Sequence, residues 1–507
     1  MGLLGFYLGY HDSNMCVVDK GGVKYRKFER LSGVKHQRVA LQAIIDTCDE
    51  WNFSPDYVAY SDGNRNGLGA CLSDEFFRPA SNLKGLGNAH KSFCVDHHFA
   101  HILSAWPCLS SEMLTLGVAL DGRGDNGLRT RVIRIGPGLN VESLFQSTEF
   151  AIGRFFTVVG KRLGLEGMEI DLAGKVMGAQ AYGTPDLAFV NKYVDSDFET
   201  LPRRLLDDIQ WRGVIPCHGV GFFCRDEPSF LDWLATCHLL LSQVLERFFS
   251  RFCSEDQVII YSGGCAQNTI FNRVLTQRFP QLVIPPHAYD GGLSLGCVEF
   301  LRRHLGLPPQ PMPSFPFAQD DEWSSPPSSA TVERVASLLA DGAVVGWMMG
   351  HGEIGPRALG HRSILFDPRS PRAKEVLNRR VKFREAWRPY GASVLAERAQ
   401  NWFDLGGPSP YMLEAVPVRP DRRERIPGVT HNDGTCRIQT VAAAEELVSF
   451  HQLLTCFDSL TGVPVLLNTS LNSVGEPIYG SATQARRLLA SGRLDALCVS
   501  DDVILRS

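Results

Sequence analysis

Short runs of β-branched and apolar residues recur through the N-terminal half of the chain. They cover residues 3–9, 13–19, 22–29 and 56–61, followed by 114–121 and 130–136. Runs of this length predict buried β-strands. Two longer stretches, 37–51 and 229–253, carry apolar residues at helical spacing and predict helices that cover the sheet. The pattern therefore indicates an α/β fold.

The C-terminal half repeats this kind of pattern. Buried-strand candidates begin at Ala343, Arg362, Val463 and Leu494, and they predict a second, mixed α/β unit. Between the halves, residues 306–330 are rich in proline, serine and glutamine, a composition that resists helix and sheet. We place domains at 1–307 and 331–507, joined by a linker at 308–330. A long surface loop within one domain is the alternative. The Pro- and Arg-rich stretch 402–430 is interpreted as an ordered loop or lid.

Composition narrows the class of protein. A chain of 507 residues exceeds the size of one hydrophobic core, and 44% hydrophobic with 21% charged residues is typical of a globular enzyme. A net charge of -4 provides no global positive field, so no nucleic-acid partner is expected. No apolar run is long enough to span a membrane and no basic segment follows Met1, so we expect a cytoplasmic protein. Fourteen scattered cysteines without a CxxC pair indicate reduced thiols rather than a disulfide or zinc framework.

A histidine cluster is the first candidate for chemistry. His97 and His101 are four residues apart, so on a helix they share a face and suit two imidazoles on one metal, while His98 points elsewhere. Asp121 and Asp290 lie in glycine-flanked turns after predicted strands and offer two carboxylates. Such a set suits iron, zinc or manganese without selecting one. Core histidines and ordinary turn aspartates are the alternative.

Glycine-rich turns after strands form a second group. They are Gly9-Tyr-His-Asp-Ser, Asp121-Gly-Arg-Gly and Ser262-Gly-Gly-Cys-Ala-Gln-Asn. Glycines let backbone N–H groups approach a phosphate, and a following helix N-terminus adds a favourable field. Three such turns fit an actin-like ATPase arrangement, in which two halves hold a nucleotide, with Gly263, Gly264 and Asn268 as candidate nucleotide contacts.

Cationic side chains gather in the C-terminal half. Arg357, Arg362, Lys382 and Arg388 lie in or near Gly- and Pro-rich turns, and arginine forks bind phosphate bidentately. We interpret them as a pocket for a small dianion, with a solvated basic face as the alternative. Further small polar and cationic groups follow downstream and include Arg437, Asn468 and Ser470. They could bind an amide, phosphate or ribose, or they could serve as turn and cap residues.

Taken together, these motifs resemble the ATP-dependent O-carbamoyltransferases of antibiotic and nodulation-factor biosynthesis over nearly the whole chain. The resemblance runs through the turns above, Glu29-Arg30 with Lys35-His36, Lys175-Val-Met-Gly, Asp290-Gly-Gly-Leu-Ser-Leu-Gly, Glu353-Ile-Gly-Pro-Arg-Ala-Leu-Gly-His-Arg-Ser, Asp433-Gly-Thr-Cys-Arg-Ile-Gln and Asn468-Thr-Ser-Leu-Asn. The Gly-Pro-Arg-Ala-Leu-Gly-x-Arg-Ser string and the order of the others make the match specific.

The resemblance implies both a fold and an activity. It implies an N-terminal actin-like ATPase domain, similar to the transferase subunit of tRNA threonylcarbamoyl modification, and a mixed α/β C-terminal domain similar to threonylcarbamoyladenylate synthase. In the C-terminal domain, carbamoyl phosphate and ATP with Mg²⁺ would give carbamoyladenylate. In the N-terminal domain, the carbamoyl group would pass to the hydroxyl of a small-molecule acceptor beside a divalent metal, with Fe²⁺ expected.

The resemblance also assigns roles to residues. The metal ligands fall on His97, His101, Asp121 and Asp290. Separately, the high pKa of an alcohol requires a base or a metal nearby, and our hypothesis is that His98 or the metal provides this help, so that His97, His98 and His101 form the catalytic group. The carbamoyl phosphate and nucleotide contacts would include Arg357, Arg362, Lys382, Arg388, Arg437, Asn468 and Ser470.

The chain departs from the family pattern at a few positions. Ala173-Gly174 and Asp125 stand where the family usually has glutamate, and Gln267 replaces an apolar residue. A tRNA-modifying protein, a metallopeptidase and a binding module without activity are the competing interpretations. The peptidase pattern needs glutamate directly after the first histidine, where this chain has His98. The acceptor, O- against N-carbamoylation and the oligomeric state stay open.

Overall fold

The computed structural model describes residues 1–62, 71, 75–80, 83, 85–86, 91–109, 114–207, 216–217, 222–223 and 228–506. Contacts divide the chain into two compact units. Unit 1 comprises Met1–Gly9 and Asn52–Pro309, and unit 2 comprises Tyr10–Trp51 and Gln310–Ser507. This grouping places residues 10–51 with the C-terminal part of the chain, which the sequence pattern did not anticipate. The division into domains at 1–307 and 331–507 stays a prediction.

Strands and helices alternate along both units. The strands are β1 Leu3–Tyr7, β2 Asn14–Asp19, β3 Gly22–Lys27, β4 Tyr57–Ser61, β5 Phe77–Pro79, β6 Lys91–Val95, β7 Thr115–Leu120, β8 Thr130–Ile135, β9 Val141–Ser147, β10 Pro216–Cys217, β11 Phe222–Phe223, β12 Ile259–Ser262, β13 Leu282–Val283, β14 Val345–Met348, β15 Arg362–Phe366, β16 Gly391–Leu395, β17 Glu414–Pro417, β18 Thr435–Val441, β19 Val465–Ser470, β20 Ala496–Val499 and β21 Asp502–Leu505. The helices are α1 Phe28–Ser32, α2 Leu41–Glu50, α3 His97–Leu103, α4 Ile152–Arg162, α5 Glu169–Ala179, α6 Leu187–Tyr193, α7 Leu201–Asp207, α8 Pro228–Ser250, α9 Thr269–Arg278, α10 Leu293–His304, α11 Ser329–Ala340, α12 Ala373–Leu377, α13 Val448–Thr461 and α14 Ala482–Ala490.

Unit 1 contains two groups of mainly buried strands. In the first, β4 lies parallel to both β1 and β6, and β5 closes the edge antiparallel to β6. In the second, the order is β13-β12-β7-β8-β9, with β7, β12 and β13 parallel and β8 and β9 antiparallel. Parallel strands buried on both faces read as continuous apolar runs, which explains why the sequence revealed them. The predicted α/β class is confirmed.

Helix α10 packs closely on its neighbours in unit 1 because glycines lie at the contacts. A Cβ on Gly296 would lie 1.9 Å from the carbonyl oxygen of Ala100 in α3, and a Cβ on Gly5 in β1 would lie 2.3 Å from the carbonyl oxygen of Ser294. Neither contact could exist with a larger residue. The close approach brings the N-terminal end of α10 beside α3, where the histidine pair lies.

Unit 2 is built on an eight-stranded mixed sheet in the order β17-β18-β16-β19-β15-β14-β20-β21. Its core is almost free of solvent, with Trp347 and Phe450 fully buried. The interpretation of 402–430 as loop throughout is wrong in part, because residues 414–417 form β17 and pair with β18. Within the described part of the chain, no helix is both long and apolar enough to cross a membrane.

Candidate active site

Helix α3 presents the histidine pair of unit 1. Asp96 caps the helix, its side chain accepting a hydrogen bond of 2.9 Å from the backbone N–H of Phe99. His97 and His101 follow on one face, and their Nε2 atoms lie 3.2 Å apart. All seven residues of the helix are buried. The predicted i, i+4 geometry is therefore present in a site shielded from water.

Two carboxylates converge on this pair. Asp121 Oδ2 lies 3.1 Å from His97 Nε2 and 3.9 Å from His101 Nε2. Asp290 Oδ1 lies 3.6 Å from His97 Nε2 and 3.3 Å from His101 Nε2. One nitrogen or oxygen from each of the four residues falls within 4.8 Å of all the others. The structure thus brings together the four residues that the sequence grouped.

The second oxygen of each carboxylate is held by a protein donor. Asp121 Oδ1 accepts a hydrogen bond of 2.9 Å from the backbone N–H of Gly264, and Asp290 Oδ2 accepts one of 2.6 Å from the hydroxyl of Tyr7. Gly263 makes the first contact possible, since its φ of 93° and a Cβ position 2.2 Å from the carbonyl oxygen of Leu120 both require glycine. Gly263 and Gly264 therefore orient Asp121 in this structure.

Burial and pairing set the charges of the four groups. Burial lowers the pKa of His97, but the carboxylates of Asp290 and Asp121 outweigh it and raise that pKa to about 10. Burial likewise opposes protonation of His101, and Asp121 and Asp290 raise its pKa. Burial raises the pKa of Asp121, whereas the two histidines bring it well below its usual value. The carboxylates thus favour the protonated form of both imidazoles.

This donor set fits a divalent metal. Two imidazole nitrogens and two carboxylate oxygens converge from buried side chains, and hydrogen bonds fix the outer oxygens of both carboxylates, as is usual around metal ligands. His97, His101, Asp121 and Asp290 would hold the ion. The chemistry of the donors admits iron, zinc or manganese.

His98 lies beside the pair without joining it. Its side chain is fully buried, and neither ring nitrogen has a hydrogen-bond partner among the described residues. Burial, reinforced by His97, lowers its pKa well below the usual value, so the ring is neutral. A Cβ on Gly124 would lie 2.3 Å from His98 Cε1, so glycine is needed there to accommodate the ring. His98 is not one of the four clustered residues, although its ring centroid lies 5.7 Å from that of His97.

Three central strands of unit 2 bring the predicted anion-binding residues to one edge. Gly391 at the start of β16 is in register with Arg437 of β18 on one side and with Asn468 of β19 on the other. Lys382 donates to the backbone carbonyl of Ser470 at 2.6 Å, and burial, then Arg384 and Arg388, lowers its pKa well below the usual value. Burial, then Arg357, likewise depresses the pKa of Arg437. Cations thus crowd together at this edge.

Besides Lys382, whose Nζ donates to four oxygens of Ser470 and Asn472, two further predicted contacts are already used by the protein. The guanidinium of Arg362 donates to the carbonyl oxygens of Met349, Glu322 and Gly350 and to Asp321 Oδ1 at 2.6–3.1 Å. In unit 1, Asn268 caps α9 by accepting from the N–H groups of Ile270 and Phe271. Both side chains therefore serve the fold in this structure.

Asn468 keeps one free atom. Its amide nitrogen donates to Ser393 Oγ at 2.9 Å and to the carbonyl of Ala358 at 3.2 Å. Its Oδ1 is buried and has no hydrogen-bond partner among the described residues. An N–H donor of a ligand could bind there, since a buried acceptor without a partner is unfavourable.

Sequence reasoning missed a polar cluster in residues 10–51. Lys27 Nζ lies 2.7 Å from Asp12 Oδ1 and 2.7 Å from Glu29 Oε1, and His11 and His36 approach the same Asp12 carboxylate. The lysine ammonium already provides the cation between the carboxylates, so this cluster is not a metal site in this structure. Asp12 and His36, with φ of 58° and 56°, adopt the left-handed backbone region.

Two family models match separate regions of the chain. The carbamoyltransferase N-terminus model matches residues 65–298, and the carbamoyltransferase C-terminus model matches residues 336–506. Nodulation protein NolO of Bradyrhizobium diazoefficiens is 30% identical over 444 residues, which cover 80% of this chain and 78% of NolO. Nodulation protein NolNO of Sinorhizobium fredii is 32% identical over 81% of this chain, and the chain spans 63% of its length.

Two solved structures are similar in part. The alignment with full-length HypF in its phosphate- and nucleotide-bound form covers 60% of this chain and 46% of the HypF chain, at 14% identity and a TM-score of 0.35. The activator of 2-hydroxyisocaproyl-CoA dehydratase from Clostridium difficile covers 60% of this chain and 97% of its own at 10% identity, with a TM-score of 0.36. Likeness at this level supports no argument about the chain. The two matched regions and the alignment with NolO decide the matter: the chain belongs to the carbamoyltransferase family.

Proposed function

We propose that this chain is an ATP-dependent O-carbamoyltransferase. It forms carbamoyladenylate from carbamoyl phosphate and ATP, and it transfers the carbamoyl group to a hydroxyl of a small-molecule acceptor. Membership of the carbamoyltransferase family supports transfer of this group. Binding of an anionic substrate in unit 2 is supported by the cations gathered where β16, β18 and β19 are in register, since buried like charges are unfavourable until an anion neutralises them.

The adenylate step is assigned to unit 2. Arg357, Arg388 and Arg437 would bind phosphate oxygens, and Lys382 would hold the end of β19 in place through its bond to Ser470. Asn468 Oδ1 would accept an N–H of the carbamoyl group. We leave Arg362 outside the set of ligand contacts because both terminal nitrogens of its guanidinium already donate to protein oxygens. Water would first cleave carbamoyl phosphate to carbamate and phosphate, and a carbamate oxygen would then attack the α-phosphorus of ATP and displace pyrophosphate. The carbamoyladenylate formed carries AMP, which is a better leaving group toward an alcohol than phosphate.

The transfer step is assigned to unit 1. A metal bound by His97, His101, Asp121 and Asp290 would supply a Lewis acid that polarises an oxygen. Tyr7 and Gly264 hold the carboxylates in orientation. His98, neutral because of its burial, is the residue proposed to take the proton of the acceptor hydroxyl.

Separate variants in the two units test the two steps. Protein supplied with ATP, carbamoyl phosphate, Mg²⁺ and Fe²⁺ should release AMP and pyrophosphate, and phosphorus NMR measures both products. The Arg437→Gln variant should no longer release pyrophosphate. The Asp290→Asn variant should still release pyrophosphate but should not carbamoylate a panel of small alcohols, which mass spectrometry detects. Arg379→Gln is the matched control, since this arginine is 81% exposed.

Two outcomes would contradict the proposal. ATP that is untouched, or that yields only ADP, would exclude carbamoyladenylate formation. Equal loss of pyrophosphate release in Arg437→Gln and Asp290→Asn would exclude the assignment of the steps to separate units. His98→Ala that keeps full transfer activity would remove His98 from the mechanism while leaving the rest intact.

A further inference from the structure

An arginine-lined cavity lies in unit 2 at the stretch that the sequence left without a role. Its volume is about 360 Å³, within the range of small-molecule pockets, and its lining includes Arg398, Arg419, Arg422 and Arg425. None of these arginines belongs to the group predicted to bind carbamoyl phosphate or nucleotide.

The cavity carries an excess of positive charge. Arg398 donates to Asp458 Oδ2 at 3.0 Å, and Arg422 Nε lies 3.2 Å from Asp421 Oδ2. These two carboxylates are the ion-pair partners of the four guanidinium groups among the described residues, so two positive charges are left. That excess equals the charge of a phosphate dianion.

The arginine forks are held in place before any ligand arrives. The guanidinium carbons of Arg422 and Arg425 lie 5.2 and 5.0 Å from the centroid of the Trp402 ring, which is buried. Arg419 Nε donates to the carbonyl of Gln400 at 2.7 Å, and Arg425 donates one N–H to the carbonyl of Gly462 at 2.8 Å. Each of these contacts occupies part of a fork and restrains its orientation.

Donors remain available on these forks. Arg422 Nε is buried against Asp421, so the donors that this arginine offers a ligand are on its terminal nitrogens. Among the described residues, Arg419 and Arg425 use one nitrogen each, for Gln400 and Gly462, and keep their other N–H groups. Arg398, Arg419 and Arg425 are exposed, so the site is open to solvent, but the contacts above restrain their forks around a concave surface.

We propose that this cavity is an anion site that binds the phosphate group of a small molecule. Arginine forks match phosphate oxygens in a bidentate manner, and restraint of the forks reduces the entropy lost on binding. The phosphate could belong to a free ion such as phosphate or pyrophosphate, or to a nucleotide. The inference does not depend on the carbamoyl-transfer reaction.

Residue-resolved labelling of the full-length chain with phenylglyoxal tests the site. Labelling of Arg419 and Arg422 should fall about tenfold at an anion concentration about ten times its Kd, while labelling of the exposed Arg379 stays unchanged. Protection by inorganic phosphate or pyrophosphate would identify a free anion, and protection by AMP alone would identify a nucleotide.

A double variant gives an independent test. Arg422→Gln with Arg425→Gln should remove the anion protection of Arg419 and weaken binding at this site at least ~10-fold. Arg372→Gln with Arg379→Gln is the matched control, because both arginines are exposed and pair with Glu375. Unchanged labelling of wild-type Arg419 and Arg422 with every anion up to ~10 mM would overturn the proposal. Equal anion protection of Arg419 in the two double variants would also overturn the proposal. If the Arg422/Arg425 double variant does not fold, the labelling of the wild type alone tests the proposal.

Discussion

Replacing Tyr7 by phenylalanine tests how the proposed metal site is held together. Tyr7 ends β1, and its hydroxyl donates a 2.6 Å hydrogen bond to Asp290 Oδ2, with both side chains buried. The ring also lies edge-on to His97 with a centroid distance of 5.9 Å. Phenylalanine keeps that ring contact and removes the hydroxyl alone. The variant therefore isolates one hydrogen bond to a carboxylate that is proposed to bind metal.

The size of the effect follows from the charge on the acceptor. A hydrogen bond to a charged group contributes about 1.5–3 kcal/mol, and tenfold in an equilibrium constant corresponds to about 1.4 kcal/mol. Loss of a partner that orients a metal ligand usually costs about 10–100-fold in metal affinity. We therefore expect Tyr7→Phe to weaken divalent-metal binding by about 10–100-fold.

The assay is a titration of metal-free protein with Co²⁺ or Zn²⁺ against a chelator of known affinity. Tyr182→Phe is the control, since Tyr182 is 42% exposed and belongs to the same unit. Asp290→Asn sets the level expected when a ligand itself is lost. Wild-type affinity in Tyr7→Phe, together with weak binding in Asp290→Asn, would refute the idea that Tyr7 orients the carboxylate. Wild-type affinity in both would refute the metal site.

Three further changes are expected to have measurable effects. Gly296→Ala places a Cβ about 1.9 Å from the carbonyl of Ala100, so chemical denaturation should show a loss of about 1–3 kcal/mol and metal stoichiometry should fall; wild-type values for both would contradict this packing. Burial lowers the pKa of His287 to about 4, so the unfolded chain binds more protons below pH 6.5. The free energy of unfolding of the wild type should therefore fall by about 2 kcal/mol through His287 between pH 7.5 and 5. Urea denaturation of His287→Gln at the two pH values should lack that fall. Burial and Arg357 depress the pKa of Arg437, so Arg437→Gln should raise the Tm without ligand and remove any Tm increase caused by pyrophosphate; a lower ligand-free Tm would contradict the charge argument.

Local features of the chain were predictable from sequence. The strands β1, β7 and β12 of unit 1 are largely apolar runs. The pairing of His97 with His101 depends only on the helical repeat over four residues. The convergence of Asp121 and Asp290 on that pair was suggested by glycine-flanked turns and by the family resemblance. In each case the signal lies within a short stretch of residues or in a motif.

Other features depend on contacts between distant parts of the chain. Tyr7 and Asp290 are 283 positions apart, and no pattern of apolar or polar residues links them. The sequence also did not reveal whether a given arginine contacts a ligand or holds the fold together. Arg362 looks like a phosphate contact in its motif, but its place beside Met349, Glu322 and Gly350 directs its donors to carbonyl oxygens. Such outcomes depend on which acceptors the tertiary fold brings near.

The two candidate sites differ in how their charges are balanced, and this difference has consequences for ligand dependence. In unit 1, His97 and His101 face two carboxylates, so protonated histidines can neutralise the site when metal is removed. In unit 2, two arginines act on the pKa of Lys382, and one of them, Arg388, lies 3.6 Å from Glu385. The protein therefore neutralises only part of this charge, and an external anion would neutralise the rest. Chelation should therefore lower the stability of the protein less than removal of phosphate-bearing ligands does. Differential scanning calorimetry with each treatment separately measures both effects, and a larger loss on chelation would mean that the charge balance in unit 1 depends on the metal.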